Sequence, residues 1–424
     1  MRILIKDAVK NLDKEVTLLG WIHRIRDLGK ISFILLRDRS GIIQLVTDKI
    51  TDINTESVVK ATGTLRSNEK APGGVELDLK GIEVLAKAHG DLPIAVNQDP
   101  SKLSLEAVLD HRILSLRNPK IRSIFTLQSN ILKHFATHLR SEDFTEIKTS
   151  KLIGTGTEGG TGLFPVQYFD RKVYLAQSPQ FYKQAMVASG MERVFEIGDA
   201  YRAEKHDTPR HLNEYVSLDV EMAFIESEQD LMDLEQRILK SIFEGLKKDS
   251  GEIVKEWNSA IPSGEEVDKI PRITHDEAKE IVSSVSGKRV FEINPEGERI
   301  LCEWAEKEHG CNAVFVYAFP RRKRPFYTFP IENHKTMSFD LLFRGLEITT
   351  GGRRINEYDM LIQSIERFHL KPEGLADYLE IFKYGCPPHG GFAIGLERLT
   401  QKILGLPNVK EASLFPRDRK RVRP

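Results

Sequence analysis

At 424 residues the chain outruns one ordinary hydrophobic core, and two or three domains are expected. Hydrophobic residues make up 40% and charged residues 29%, which excludes a disordered chain. No run reaches the roughly 18 apolar residues of a membrane-spanning helix. Lys+Arg and Asp+Glu balance at 62 each, so nucleic-acid binding has to rest on a local basic surface rather than on bulk charge.

The first residues, MRILIKDAVKNLDKEV, carry charge too early for a signal peptide. Five stretches rich in Val, Ile, Leu and Thr follow: Glu15–Arg24, Ile31–Arg37, Gly41–Thr47, Val58–Leu65 and Val75–Leu85. Turn residues separate them (Asp27-Leu28-Gly29, Arg39-Ser40-Gly41 and Ala71-Pro72-Gly73-Gly74). Five short strands in this span predict a small closed barrel, for which the OB-fold is the commonest five-stranded form, with any small β domain as the plainer alternative. Residues 89–118 mix Gly, Pro and Asp with short periodic pieces and read as a hinge, giving a division into 1–88, 89–118 and 119–424.

Beyond residue 119, helices and strands alternate. Ile124, Leu127, Ile131 and Phe135 fall at helical spacing within Ile121–Leu139. Val194–Ala203 predicts a strand. Tyr215–Phe224 alternates, with Val216, Leu218, Val220 and Met222 on one face and Ser217, Asp219 and Glu221 on the other, a row that fronts water or an active site. Residues 227–248 predict an amphipathic helix, and Thr274-His-Asp-Glu277 spells a capping box before another. Cys302, Cys311 and Cys386 are three thiols without CxxC spacing, as expected of buried or incidental cysteines in a reducing compartment, and the chain is expected to be cytoplasmic.

Four segments can carry chemistry. Tyr201-Arg-Ala-Glu204 leads into a loop, Lys205–Asn213, dense in Lys205, His206, Arg210 and His211. With the acidic strand after it, this makes a hairpin able to hold a polyphosphate, Arg202 acting as an anion clamp; an exposed charged hairpin is the alternative. Gly390-Gly-Phe-Ala-Ile-Gly395-Leu-Glu-Arg398 lets a strand pass close to a nucleotide and presents Arg398 near a helix start, yet fits neither the GxGxxG nor the P-loop spacing. Glu347, Thr350 and Arg353-Arg354 can hold a Mg²⁺ and an acidic ligand together, or simply end a salt-bridged strand. Thr157-Glu158-Gly-Gly-Thr161 suits a lid closing on an ammonium group, and is followed by Gln177-Ser-Pro-Gln180-Phe-Tyr-Lys183.

In this order the segments resemble the class II aminoacyl-tRNA synthetases, and among them the archaeal-type aspartyl-tRNA synthetases. Phe195–Glu204 through Glu221 resembles motif 2, Gly391–Leu399 resembles motif 3, and the likeness runs on to Phe415-Pro-Arg-Asp418. The resemblance implies an α+β catalytic domain, an antiparallel sheet flanked by helices, behind an N-terminal all-β OB-fold barrel. It implies aspartate, ATP, Mg²⁺ and tRNA as ligands, a homodimer, and no membrane.

It also implies roles. Arg202 binds the α-phosphate and substrate carboxylate; Glu204, Arg210, His211 and Leu212 frame ATP; Arg398 holds the γ-phosphate, with Gly395, Leu396 and Glu397 along the nucleotide. Glu347 takes Mg²⁺ and ATP, with Thr350 where relatives often have serine. Glu158 and Gln180 meet the aspartate ammonium, Lys183 and Arg354 its side-chain carboxylate, and Asp219 orients that cationic pair. Serine at 150 stands where motif 1 usually has the proline of the dimer interface.

On the barrel, Arg26, Phe33 and Gln44 match positions that hold the middle anticodon base, Phe33 by stacking; a buried Phe33 is the alternative. Family members strict for aspartate tRNA tend to carry Trp and Lys near this site, and those charging both tRNAs His and Pro. His23 and Pro72 therefore imply a non-discriminating enzyme that charges tRNA(Asp) and tRNA(Asn), coupled to an amidotransferase. The rivals are a strict aspartate enzyme, an asparaginyl-tRNA synthetase, an asparagine synthetase paralogue and a plain nucleic-acid-binding barrel.

Overall fold

A computed structural model describes residues 3–48, 53–154 and 162–422, and the chain divides into two compact units, Met1–Asn118 and Pro119–Pro424. In the first unit β1 (Glu15–Asp27), β2 (Ser32–Arg37), β3 (Ile42–Thr47), β4 (Val58–Ser67) and β5 (Val75–Ala86) close into a barrel in the order β1-β2-β3-β5-β4. Alternation along the strands turns Leu18, Ile22, Ile34, Leu36, Ile43, Leu45, Val59, Ala61 and Leu77 inward to one apolar core. The β1–β2 register shifts between Ile22 and Arg24, so His23 sits at a bulge.

Residues 89–118 belong to this unit. They carry a turn, Pro100–Lys102, and two short helices, α1 (Leu105–Asp110) and α2 (Arg112–Ser115). Arg117 Nη1 lies 3.1 Å from Glu56 Oε2, and Glu56 in turn pairs with the buried Arg37 at 2.9 Å. The Asn118 amide donates to the carbonyls of Val96 and Gln98, both at 2.9 Å.

The second unit opens with α3 (Pro119–Ser141) and β6 (Thr145–Glu146), then β7 (Leu152–Ile153), β8 (Pro165–Tyr168) and β9 (Arg171–Leu175) as a small sheet, and α4 (Gln180–Met186). Next come the long hairpin β10 (Arg193–Tyr201) and β11 (Glu214–Ala223) and the helices α5 (Glu228–Glu256) and α6 (Gly264–Asp268). The chain continues through β12 (Arg272–Thr274), α7 (His275–Ser286), α8 (Pro295–His309) and β13 (Ala313–Tyr317), with a ribbon of β14 (Pro330–Ile331) and β15 (Lys335–Thr336). It ends with β16 (Ser338–Phe343), β17 (Leu346–Arg353), α9 (Tyr358–Arg367), α10 (Ala376–Lys383), β18 (His389–Gly395) and α11 (Leu396–Leu404).

Eight strands form the main sheet, in the order β12-β13-β16-β17-β18-β11-β10-β6, antiparallel except at its two edge pairs. One core packs α3, α5 and α11 against it, with Ile131, Phe135, Ile238, Ile242, Phe392 and Leu399 among its fully buried members. Ser227 starts α5 through a capping box with Asp230, and Thr274 starts α7 through one with Glu277. The sheet face left free by these helices presents the candidate site.

Candidate active site

Period-2 alternation on β11 puts Ser217, Asp219 and Glu221 on one face, at 5%, 2% and 0% exposure. Glu221 lies opposite Gly391 of β18. A Cβ on Gly391 would stand 2.0 Å from Val220 O and 2.2 Å from Glu221 Oε2, so only glycine lets that carboxylate lie across the neighbouring strand.

Three elements meet there. Lys183 of α4 places Nζ 3.0 Å from Asp219 Oδ1 and 3.3 Å from Glu221 Oε2. Arg354, just past β17, donates Nε to Glu221 Oε1 at 3.1 Å, and Nη2 to Gln180 Oε1 at 3.2 Å and Gly391 O at 3.0 Å. Isolated charges this deep would be prohibitive, but two cations and two carboxylates balance. Burial pushes the Glu221 carboxyl up, yet Arg354 and Lys183 outweigh it and hold it below the ordinary carboxylate range. Gln180 Nε2 is buried and finds no partner among the described residues, which leaves a donor for a ligand. A small molecule carrying a carboxylate suits this end.

The other end of the cleft is lined by Arg202, Glu204, His211, Glu347, Glu397 and Arg398, with Arg210, Leu212, Thr350 and Gly395. Arg202, where β10 ends, rests over the Tyr215 ring at 5.8 Å. His211 shares a 2.6 Å hydrogen bond with Thr208, and burial together with Arg398 keeps its pKa below the ordinary value. Arg210 is ion-paired with Glu298, whose carboxylate also accepts from the Glu347 amide at 3.0 Å. Arg398 donates to Glu347 O at 2.9 Å and lies 3.4 Å from Glu347 Oε1. Glu397 takes the Val216 amide on both oxygens at 3.1 Å, and burial raises its pKa to about 8. Leu396 instead turns its side chain into the hydrophobic core. Arginines flanking an open cleft suit a polyphosphate.

Beside them lies a patch of oxygen donors. The Thr350 hydroxyl donates to Asp340 Oδ1 at 2.9 Å and lies 3.4 Å from Glu347 Oε1. Asp340 pairs with Arg324 at 2.7 Å, and burial raises its pKa to about 6. Among the described residues no cluster of three or more His, Cys, Asp or Glu stands ready for a metal. Two carboxylates and a hydroxyl nevertheless match a hard cation that keeps water or phosphate oxygens as its remaining ligands, which is the habit of Mg²⁺.

Sequence reasoning had no role for Glu221, Asp340 or Glu298. Glu221 shared the face of Asp219 by alternation, and that signal was available; the other two depend on pairings between distant segments. Glu158 lies outside the described residues.

On the barrel, Arg26 sits directly across β1–β2 from Phe33, and Gln44 across β2–β3 from Leu35, on the same outward face. Phe33 is half-buried, not part of the core. The Gln44 amide donates to Glu76 at 2.9 Å, and Asn68 donates to the same carboxylate oxygen at 2.8 Å. His23 Nδ1 lies 2.9 Å from Arg37 Nη1; burial and then Arg37 lower its pKa. A guanidinium can only donate, so His23 accepts there and is neutral. Pro72 is exposed in the turn Pro72–Gly74.

An antiparallel sheet backed by helices, with an arginine-flanked cleft on its free face, together with a separate OB-fold barrel, defines the class II synthetase architecture. The chain belongs to that family: residues 104–419 match the model of the class II tRNA synthetases (D, K and N), and residues 16–85 match the OB-fold nucleic acid binding domain. It is 47% identical to the aspartate–tRNA(Asp/Asn) ligase of Thermus thermophilus over 100% of both chains. It is 41% identical to the aspartate–tRNA(Asp) ligase of Pyrococcus abyssi, covering 97% of this chain and 96% of the relative. The crystal structure of asparaginyl-tRNA synthetase from Pyrococcus horikoshii with asparaginyl-adenylate is similar with a TM-score of 0.92, at 28% identity and 100% coverage of both.

Proposed function

We propose that this chain activates L-aspartate with ATP and transfers it to tRNA(Asp) and tRNA(Asn). The observation that carries the amino-acid choice is the buried Lys183–Arg354 pair, fixed by Asp219 and Glu221. Two immobilised cations favour a side-chain carboxylate over the neutral amide of asparagine, which brings no charge to them.

The chemistry is electrostatic. The α-carboxylate of aspartate attacks the α-phosphorus in line, pyrophosphate leaves, and aspartyl-adenylate forms. Arg202 holds the attacking carboxylate and the α-phosphate and meets the charge that develops on phosphorus. Arg398, Arg210 and His211 keep the triphosphate bent, and Glu204, Leu212, Gly395 and Glu397, with the backbone of Leu396, line the nucleotide. Glu347 and Thr350, with Asp340 beside them, would hold Mg²⁺, which would supply positive charge to the phosphates. Gln180 takes the ammonium group, a role proposed for Glu158 as well. A hydroxyl of the terminal tRNA ribose then attacks the activated carbonyl and AMP leaves. No protein nucleophile is needed.

Arg26, Phe33 and Gln44 are assigned to the middle anticodon base, and His23 and Pro72 to tolerance of both tRNAs. The product on tRNA(Asn) is a substrate for a tRNA-dependent amidotransferase. Residues 146–151, with Ser150 in place of the usual proline, are assigned to motif 1, and the proposed active form is a homodimer in a cytoplasmic setting. The experiment is aminoacylation with labelled aspartate and asparagine, each against both tRNA transcripts. Aspartate on both is the expected result; aspartate on its own tRNA alone leaves a strict enzyme, the activity that the name of the Pyrococcus abyssi relative carries. Asparagine as the charged amino acid would sink the Lys183–Arg354 assignment.

A further inference from the structure

Away from the cleft, the second unit has an open hollow of about 740 Å³ between the turn Arg321–Lys323, the β14–β15 ribbon and the end of α9. Its walls carry Arg321, Arg322, Lys335, Arg367, His334 and His369. Asp276 is the one carboxylate among the lining residues, and it is taken by Lys335 at 2.6 Å and Lys279 at 2.9 Å. Lys323 nearby is matched by Glu292 at 2.9 Å. Arg321, Arg322 and Arg367 line the same hollow, and Arg367 lies near enough to lower the Arg321 pKa. The nearby Glu292 is held low by Lys323 first and by Arg322 as a lesser contributor, so the wall carries an excess of positive charge that an anion would offset.

The hollow is built, not incidental. The Arg321 amide donates to His334 O at 2.8 Å, its Nη2 donates to Ser364 at 3.0 Å, and its Nε is buried with no partner among the described residues. Asn333 and His334, with φ of 56° and 57°, make the tight turn of the β14–β15 ribbon, and His369, with φ of 56°, follows the end of α9, so the wall is formed by two chain reversals. The surrounding groups report the same positive field. Burial, then Lys279, Lys323 and Lys335, lower His275 to about 4, while hydrogen bonds from Lys335 and Lys279 hold Asp276 at about 2. Burial, then Arg367, lowers Arg321.

We infer that this hollow is a second anion site, built to take clustered phosphate groups through Arg321, Arg322 and Arg367. Guanidinium forks match phosphate oxygens in pairs, and the open shape admits a chain of phosphates that continues beyond the protein. Two sources share that chemistry, the phosphodiester backbone of the tRNA and a free oligophosphate. The inference rests on the proposed function only for the first of these.

The test is the R322E/R367E variant, which changes two exposed side chains outside the cleft. The cleft is first saturated with a non-hydrolysable ATP analogue. Binding of tripolyphosphate and of tRNA transcript is then measured across a salt series, with aspartate-dependent ATP–pyrophosphate exchange as the control. Exchange should stay within about twofold of wild type. If tRNA is the source, its affinity falls about tenfold or more and the salt slope drops by about two, one for each phosphate that is no longer neutralised. If a free oligophosphate is the source, tripolyphosphate binding is lost while tRNA binding persists. Unchanged binding of both overturns the site. Failure of the wild-type protein to exchange with aspartate would defeat the proposed function and leave the phosphate measurement standing.

Discussion

At the scale of single residues, the Lys183–Arg354–Asp219–Glu221 quartet sets the terms. Glu221→Gln removes one of its two anions and leaves a buried cation short of a partner, which costs about 3–5 kcal/mol of stability. The side-chain carboxylate of bound aspartate would restore the balance. Aspartate should therefore raise the melting temperature of this variant more than that of wild type, whereas asparagine should not; thermal unfolding with each amino acid checks it. Arg202 acts at the other end, where charge develops only during reaction. Arg202→Ala should lower ATP–pyrophosphate exchange by about 10²–10³-fold, with the fold intact by circular dichroism. Near-normal exchange would remove Arg202 from the reaction.

At the scale of elements, local chemistry decides where helices begin. Ser227 accepts from the Gln229 amide at 3.2 Å while Asp230 accepts from the Ser227 amide at 3.0 Å. Ser227→Ala should cost about 1 kcal/mol in chemical denaturation, because α5 is the helix on which the sheet core rests. The barrel strands and the functional face of β11 were legible because alternation is a property of neighbouring residues. Pairings across the chain were not. Glu221 meets an arginine 133 positions away, and Glu235 reads as one more polar residue on α5 until its bond to Thr349, 114 positions on, turns it inward. α5 also runs to Glu256 rather than ending near 248, since its last turns bury Ser250 and Val254 among charged neighbours that mask the period. Residues 89–118 look like a linker by composition, and bonds across long stretches of chain, from Arg117 to a glutamate 61 positions earlier and from Asn97 to the His23 carbonyl 74 positions earlier, tie them to the barrel unit.

At the scale of the whole molecule, buried carboxyls make stability depend on pH. Burial raises Glu235 from 4.5 to about 8, against the opposing bond from Thr349. The folded state then keeps a proton that the unfolded chain releases above about 4.5, so stability falls as pH rises from there to about 8. Glu397 acts in the same direction over the same window. Glu235→Gln copies the neutral acid and keeps an acceptor for Thr349. It should flatten the decline by at most about 1.4 kcal/mol per pH unit, measured by denaturation at pH 5, 6, 7 and 8. A slope identical to wild type would mean that Glu235 is ionised in the folded protein.

The Arg37–Glu56–Arg117 contact also says where this protein can be cut. Glu56 is 4% exposed, and a fragment ending near residue 88 would strip away Arg117 together with the Asn118 amide that closes the segment onto itself. A fragment of residues 1–118 retains both. It should melt cooperatively as an autonomous folding unit, whereas residues 1–88 should not, and the shortest portable anticodon reader in this chain is the longer of the two.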